Sequence, residues 1–435
     1  MSKEVASVPS SRLSRLSKIG GLASRLAGNV FVEGAKQLSK GQKPTFQQLV
    51  LTPNNLTQVA EKLAQLRGAA MKVGQMISMD TGDLLPKELS DILARLRDDA
   101  KAMPHKQLVA TLKQQWGDDW LAPFAQFELR PFAAASIGQV HQAYLDSGEK
   151  LAVKIQYPGI KDSIDSDIDN VATLLKVAQL VPDNVQFDKL LTEAKAQLHH
   201  EADYSYEARL LKEYQQWVAN DTRFIVPKLY EQHSTDSILV MEFVEGVPIE
   251  SVSELPQLDR DKVATDLLAL FLDELFTFSL VQTDPNFANF MYQKETGSIV
   301  LLDFGATRKI TKTLSNGYRM LMQGAMTSDK ALMTSAAESI GFFQDSITPE
   351  QQAFIVDIFY QACEPLRSEG PYDFASSNLA KRITDAAKSL STKQDEWHTP
   401  PTDAIFVHRK LAGIYLLASR IQAKVDVKKL FLAHQ

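Results

Sequence analysis

Between residues 127 and 244 the apolar residues abandon a helical period. They fall into four short runs, QVHQAYL (139–145), KLAVKIQY (150–157), RFIVPKLY (223–230) and SILVMEFV (237–244), bounded by turn signals. Runs of that length read as strands. A long helical pattern, residues 160–217 with a break near Pro182, separates the second run from the third. Ahead of the strands, Thr52-Pro53 opens a helix, and Val59, Leu63, Leu66, Ala70, Val73 and Ile77 recur at three and four. Two more helices are expected at 86–97 and 105–116. From residue 258 the pattern is again helical, apart from one hairpin turning at Gly297. Few strands flanked and interrupted by helices give an α+β plan with two lobes, and the cleft between lobes is the natural place for a ligand. The expected divisions are a basic amphipathic arm (1–44), a helical extension (45–126), a strand-bearing lobe with inserted helices (127–245) and a helical lobe (246–435).

A chain of 435 residues with 44% hydrophobic and 23% charged residues is ordinary for a soluble globular protein of two to three packed lobes. The single cysteine, Cys363, excludes an internal disulfide. The most apolar stretch, 267–281, is interrupted by Asp273 and Glu274, so no transmembrane helix is expected. No signal-peptide core is seen at the N-terminus. Charge is unevenly spread. Residues 1–44 carry eight Lys/Arg against two Glu, a net +6, while the chain as a whole is −6. An anionic partner is expected for such an arm. Leu13, Leu16, Ile19, Ala23, Leu26 and Val30 share one side of a helical wheel and Lys18 and Arg25 the other. That pattern fits a helix lying on an anionic membrane surface better than a nucleic-acid contact. It equally fits a helix packed on its own domain, or a disordered tail.

Four elements then fall in an order that carries chemistry. The first is the hairpin PFAAASIGQVHQAYL, whose turn is Ala133, Ala134, Ala135 and Ser136 with one glycine, Gly138. The second is Lys154 inside a strand. The third is VQTDPNFANF, with Asp284 five positions before Asn289. The fourth is IVLLDFGATR, with Asp303 at a strand end ahead of Phe304-Gly305. Alone, each is bland: a solvated strand lysine, an Asx turn, an Asp-Phe-Gly turn. In this order they repeat the parts for handling a magnesium nucleotide: a lysine for phosphates, a base or water-orienting aspartate, and hard oxygen ligands, Asn289 and Asp303, for Mg²⁺. MEFVEGVPIE reads as the link between lobes, where the backbone of Glu242 and Val244 could hydrogen-bond an adenine ring; the alternative is an ordinary strand end. No Walker-type loop is present.

Three further stretches complete a resemblance. LRGAAMKVGQMISMD carries Lys72, Gly74 and Gln75 in a Lys-x-Gly-Gln pattern. EADYSYEA carries Glu201 and Asp203 in a Glu-x-Asp pattern, followed by Glu207. VHRKLAGIYLLASRIQAKV lies near the C-terminus. With the alanine-rich loop and the arm SRLSRLSKIGGLASRLAG, these make the chain resemble the UbiB family of atypical, kinase-like proteins, nearest to its mitochondrial-type members. The resemblance covers most of the chain and implies a two-lobed protein-kinase-like fold. It implies that Glu207 partners Lys154, that Lys72 lies near Glu201 over the nucleotide cleft with Gln75, and that ATP or ADP and Mg²⁺ are the cofactors. It also implies support of ubiquinone biosynthesis, with an isoprenoid or quinone-precursor lipid and other biosynthesis proteins as partners, no nucleic acid, and a cytoplasmic place at the inner membrane surface.

Read from its residues alone, the Lys72 helix has two faces. Gly68, Lys72, Gln75 and Met79 lie together, opposite the apolar stripe. Alanine resists the positive φ that glycine accepts, so an Ala-rich loop is stiffer and approaches phosphates differently. No Ala-Pro-Glu follows Asp303-Phe304-Gly305 within the expected span, so the usual shelf for a peptide substrate is missing. An ATPase or small-molecule kinase is therefore expected. The rivals are a nucleotide-binding pseudokinase scaffold and a protein kinase of restricted range. One departure stands out: Gln282, two before Asp284, occupies a position where kinases often carry His.

Overall fold

The computed structural model describes residues 52–80, 87–98, 102–178, 180–181, 187–343, 347–379, 381–383, 385 and 401–435. The basic arm and Pro182 lie outside these residues. The chain forms two compact units. The described residues up to Ala208 join Leu229–Phe243 in the first; Arg209–Lys228 and Val244–Gln435 form the second.

The first unit is built on an antiparallel sheet. Its strands are β1 (Phe124–Phe127), β2 (Ala133–Ala134), β3 (Gly138–Leu145), β4 (Lys150–Gln156) and β6 (Ile238–Glu242), ordered β1-β3-β4-β6 with β2 also on β3. Period two sorts β4: Leu151, Val153 and Ile155 face a core with Met103, Leu108, Leu112, Phe124, Tyr230, Ile238 and Val240, which turns Lys154 to the other face. Leu108 and Leu112 come from α4 (His105–Trp116), so the segments 45–126 and 127–245 share one core. A buried polar chain ties them further. Met103 N–H donates to Gln139 Oε1 (2.8 Å), Gln139 Nε2 meets His141 Nε2 (2.7 Å), and His141 Nδ1 meets the Glu128 carbonyl (2.7 Å). Only one tautomer serves this chain: Nδ1 donates and Nε2 accepts.

The apolar stripe from Val59 to Ile77 occupies two helices, α1 (Pro53–Gln65) and α2 (Arg67–Asp80), because the chain turns at Leu66, whose N–H caps Leu63. Thr52 caps α1 with its hydroxyl, and Pro53 sits where a missing N–H costs nothing. Next comes α3 (Lys87–Asp98). The long helical stretch after β4 is three helices, α5 (Ile160–Val177), α6 (Phe187–Glu201) and α7 (Tyr204–Val218). Its second break has a local cause: Asp203 Oδ1 accepts from the N–H groups of Ser205 (3.1 Å) and Tyr206 (3.3 Å). α2 packs on α3, α5 and α6, and is buried on more than the one stripe that its sequence suggests.

The second unit holds a four-stranded sheet, β5 (Phe224–Ile225), β10 (Ser298–Leu301), β9 (Phe290–Gln293) and β7 (Val247–Pro248). The run RFIVPKLY is thus largely not a strand of the first sheet. Only Phe224–Ile225 is extended, parallel to β10, and Leu229 makes one isolated bridge to Met241. Pro227 cannot donate to a ladder and interrupts it. α8 (Gln257–Asp273) runs into a π-turn, Glu274–Phe278, that ends at Ser279 with φ 53°. β8 (Leu280–Gln282) follows and pairs with β11 (Thr307–Lys309). Helices α9 (Lys312–Thr327), α10 (Lys330–Ile340), α11 (Pro349–Ala362) and α12 (Thr402–Arg420) complete the described body, with the short β12 (Tyr372–Asp373), β13 (Lys424–Val425) and α13 (Val427–Leu432).

Candidate functional site

The first unit brings together Lys154 and Glu207, 53 residues apart. Lys154 Nζ donates to both carboxylate oxygens of Glu207 at 2.9 Å. Both side chains are buried, and the ammonium also lies 5.1 Å from the centroid of the Tyr204 ring. β4 and the first turn of α7 hold the two partners. A buried pair of this kind is costly to desolvate and is sustained only by good geometry.

In the same unit, Lys72 forms an ion pair with Glu201 Oε1, and Ser136 Oγ donates to Glu201 Oε2 at 3.3 Å. One glutamate therefore links α2 to the alanine loop. Gly68 explains the close fit. A Cβ there would lie 3.1 Å from the Ser136 carbonyl oxygen and 3.3 Å from Ile137 Cγ2. The side chain of Gln75 lies outside the described residues, as does that of Met79.

The loop itself is a tight hairpin. Ala133 and Ala134 pair with Val140 and Gln139, and Ala135 N–H donates to the Gly138 carbonyl at 2.9 Å. Ala133 and Ala134 are exposed and Ala135 is half-buried, and none of residues 133–136 has positive φ. Gly138 also keeps negative φ. It is needed because a Cβ would strike the Ile155 carbonyl. At the far edge of the sheet Glu242 ends β6 opposite Leu151, and Val244 follows as the first residue of the next segment of the second unit.

The second unit assembles Asp284, Asn289 and Asp303 around β8. Asn289 Nδ2 donates to Asp284 Oδ2 at 3.0 Å, which assigns its other amide end as the acceptor. Asp284 Oδ1 accepts from Asn286 N–H (3.3 Å) and lies 3.6 Å from Arg409 Nη2. Asp303 stands at φ 59°, its Oδ1 accepting from Gly305 N–H at 3.1 Å. Aspartate tolerates this left-handed conformation better than most residues, at a cost of about 1–2 kcal/mol. Asn289 and Asp303 are hard oxygen donors, matching a small dication that takes its other ligands from water or phosphate.

Gln282 does more than fill a gap. Its Nε2 donates to the carbonyls of Leu302 and Asp303, at 2.7 Å each. Its Oε1 lies 3.3 Å from Lys410 Nζ, and its backbone N–H donates to Glu274 Oε1 at 3.0 Å. Glu274 also accepts from Tyr214 Oη at 2.9 Å and faces Lys410 at 3.4–3.5 Å. Burial raises the Glu274 carboxyl and lowers the Lys410 ammonium from their ordinary values, and their mutual attraction opposes both shifts. Tyr214, Glu274, Arg409 and Lys410 escape a reading of the sequence. One signal was available. Phe406, Lys410, Ile414 and Leu417 recur on one apolar stripe, so a lysine there must be buried.

A family model described as the ABC1 atypical kinase-like domain matches residues 95–337. The mitochondrial atypical kinase COQ8 of Saccharomyces cerevisiae is 36% identical over 98% of this chain and 85% of its own. The mitochondrial atypical kinase COQ8B of Rattus norvegicus is 35% identical over 98% of this chain and 80% of its own. Among solved structures, that of Rv3197 from Mycobacterium tuberculosis in complex with erythromycin superposes with a TM-score of 0.60 at 24% identity. It covers 86% of this chain and 94% of that one, a likeness of fold.

Proposed function

The chain belongs to the UbiB family of ABC1 atypical kinases, and from that membership and the geometry above we propose that it is a Mg-ATP-dependent ATPase or small-molecule kinase supporting ubiquinone biosynthesis at a membrane surface. The observation that carries this reading is the buried pair in which both oxygens of Glu207 hold Lys154 Nζ. A buried ion pair is weak evidence for stability, so one joining two distant elements calls for another purpose. Here it would set the lysine for α- and β-phosphates. Asp303 and Asn289 would hold Mg²⁺, which when bound neutralises developing phosphate charge. Asp284 would orient water or an acceptor hydroxyl. The alanine loop with Ser136 would cover the nucleotide, and the backbone at Glu242 and Val244 would meet adenine. Lys72, tied to Glu201, would gate the site with Gln75.

The acceptor is proposed to be small or lipidic, because the Ala-Pro-Glu shelf is missing after Asp303. The basic arm would meet anionic lipid, giving peripheral attachment at the inner membrane; no described helix is long and apolar enough to cross one. The scaffold reading is favoured by one observation: both oxygens of Asp284 already have partners, in Asn286, Asn289 and Arg409.

The test is Mg-ATP hydrolysis by the full chain, with and without anionic liposomes, beside Asp303→Asn. Turnover that liposomes raise and the substitution removes supports the enzyme. Folded protein that binds nucleotide yet turns over no faster than the variant favours the scaffold.

A further inference from the structure

Lysine only donates hydrogen bonds, whereas a glutamine amide has one accepting and one donating end. Lys410 therefore admits only one way round for the Gln282 amide. With Oε1 turned to the ammonium, Nε2 must face the Leu302 and Asp303 carbonyls, where its 2.7 Å contacts lie. Those carbonyls flank the α-carbon of Asp303 and the peptide before it, in a left-handed conformation that persists only when its surroundings hold it. Lys410 is in turn fixed by Glu274, the first residue of the π-turn, whose carboxylate also takes Tyr214 and the Gln282 N–H. Hydrogen bonding thus runs in one direction, from the Lys410–Glu274 pair through Gln282 to the backbone of Asp303.

α12, which carries Lys410, grips the same region twice more. Arg409 approaches Asp284. Gly413 lies so near Pro285 that a Cβ would collide with its ring. None of these contacts requires a ligand to be present.

We infer that Lys410 is a positioning residue for the metal-binding aspartate: by orienting the Gln282 amide it fixes the backbone that aims the Asp303 carboxylate. The inference rests on the proposed Mg²⁺ role of Asp303. It assigns to α12 a part in building the metal site, although Lys410 lies 107 residues beyond Asp303 in the chain.

Lys410→Met alone would leave Glu274 buried without its cation, and that variant could fail to fold. The informative variant is the double substitution Glu274→Gln with Lys410→Met. It removes both charges together, retains an acceptor for Tyr214 and Gln282 N–H, and keeps side-chain volume. Gln282→Met removes the amide itself. Asp303→Asn is the reference. ADP binding to the full-length protein is titrated in EDTA and at rising Mg²⁺, alongside thermal unfolding. The expected result is unchanged ADP affinity in EDTA and unchanged thermal midpoint for the double variant. Its Mg²⁺ half-saturation should rise about tenfold, the scale of one lost hydrogen bond. Gln282→Met should match or exceed that rise, and Asp303→Asn should abolish the Mg²⁺ response. If Asp303→Asn abolishes it while the other two behave as wild type, the inference is overturned and the metal reading stands. If Asp303→Asn leaves the response intact, the metal reading falls and the inference with it. Equal loss of ADP affinity with and without Mg²⁺ in the double variant marks general disruption and also overturns the inference.

Discussion

Glu207 holds the buried Lys154 ammonium through both of its carboxylate oxygens. Removing its charge strands an ammonium that β4 keeps out of water. Glu207→Gln should lose about 3 kcal/mol of stability, the lower end for breaking a buried pair by removing one partner. Urea unfolding measures that loss, and nucleotide titration should show weaker ADP binding in the same variant. A second residue reports on pH. His408 is hemmed in by Tyr318, Phe342 and Phe359, and its Nε2 lies 2.8 Å from the Tyr318 hydroxyl. Desolvation lowers its pKa from 6.5 to about 4. The unfolded chain therefore binds a proton there, between those values, that the folded one refuses. The contribution is complete above pH 6.5 and declines as pH falls. It should reach a loss of about 1–2 kcal/mol by pH 5. Comparing unfolding of wild type and His408→Phe from pH 7.5 to pH 5 isolates it: the variant should show the shallower decline.

At the level of elements, α12 works as a brace for the loop after β8. Gly413→Ala would push a methyl into Pro285, one residue from Asp284. ATP turnover should fall about tenfold or more while the thermal midpoint moves by only a few degrees, since a misplacement of about 1 Å is enough to cost that much in rate. Unchanged turnover would show that the loop can give way. The same elements show what a sequence discloses. β3, β4 and β6 were legible because turn signals bracket alternating or apolar runs. β5 was not, because a single proline moved most of RFIVPKLY out of the ladder, and partner choice leaves no local trace. The order of Lys154, Asp284, Asn289 and Asp303 was readable. The pairing of Lys154 with Glu207 came only from family resemblance, since two residues 53 apart carry no mark of each other. The Tyr214–Glu274–Lys410 network was invisible for the same reason. Glu274 reads as a charge that ends an apolar run, and its burial depends on α12, more than a hundred residues later.

For the whole molecule, charge is segregated: a +6 arm precedes a remainder of −12. Deleting residues 1–44 should abolish sedimentation with anionic vesicles. Raising salt from 50 mM to 500 mM should release the intact chain in the same assay, because the Debye length shortens as ionic strength rises. The buried pair in the second unit has a further consequence, in time. Glu274 emerges from a ribosome 136 residues before Lys410. At about 5–20 residues per second this is on the order of ten seconds, during which the glutamate has no counter-ion to be buried against. The first unit, by contrast, has its last residue, Phe243, long before that. Synthesis therefore supplies the residues of the Lys154 half early and withholds the clasp of the Asp303 half until the chain is nearly complete, so a nascent protein passes through a stage that holds only one half of the proposed site.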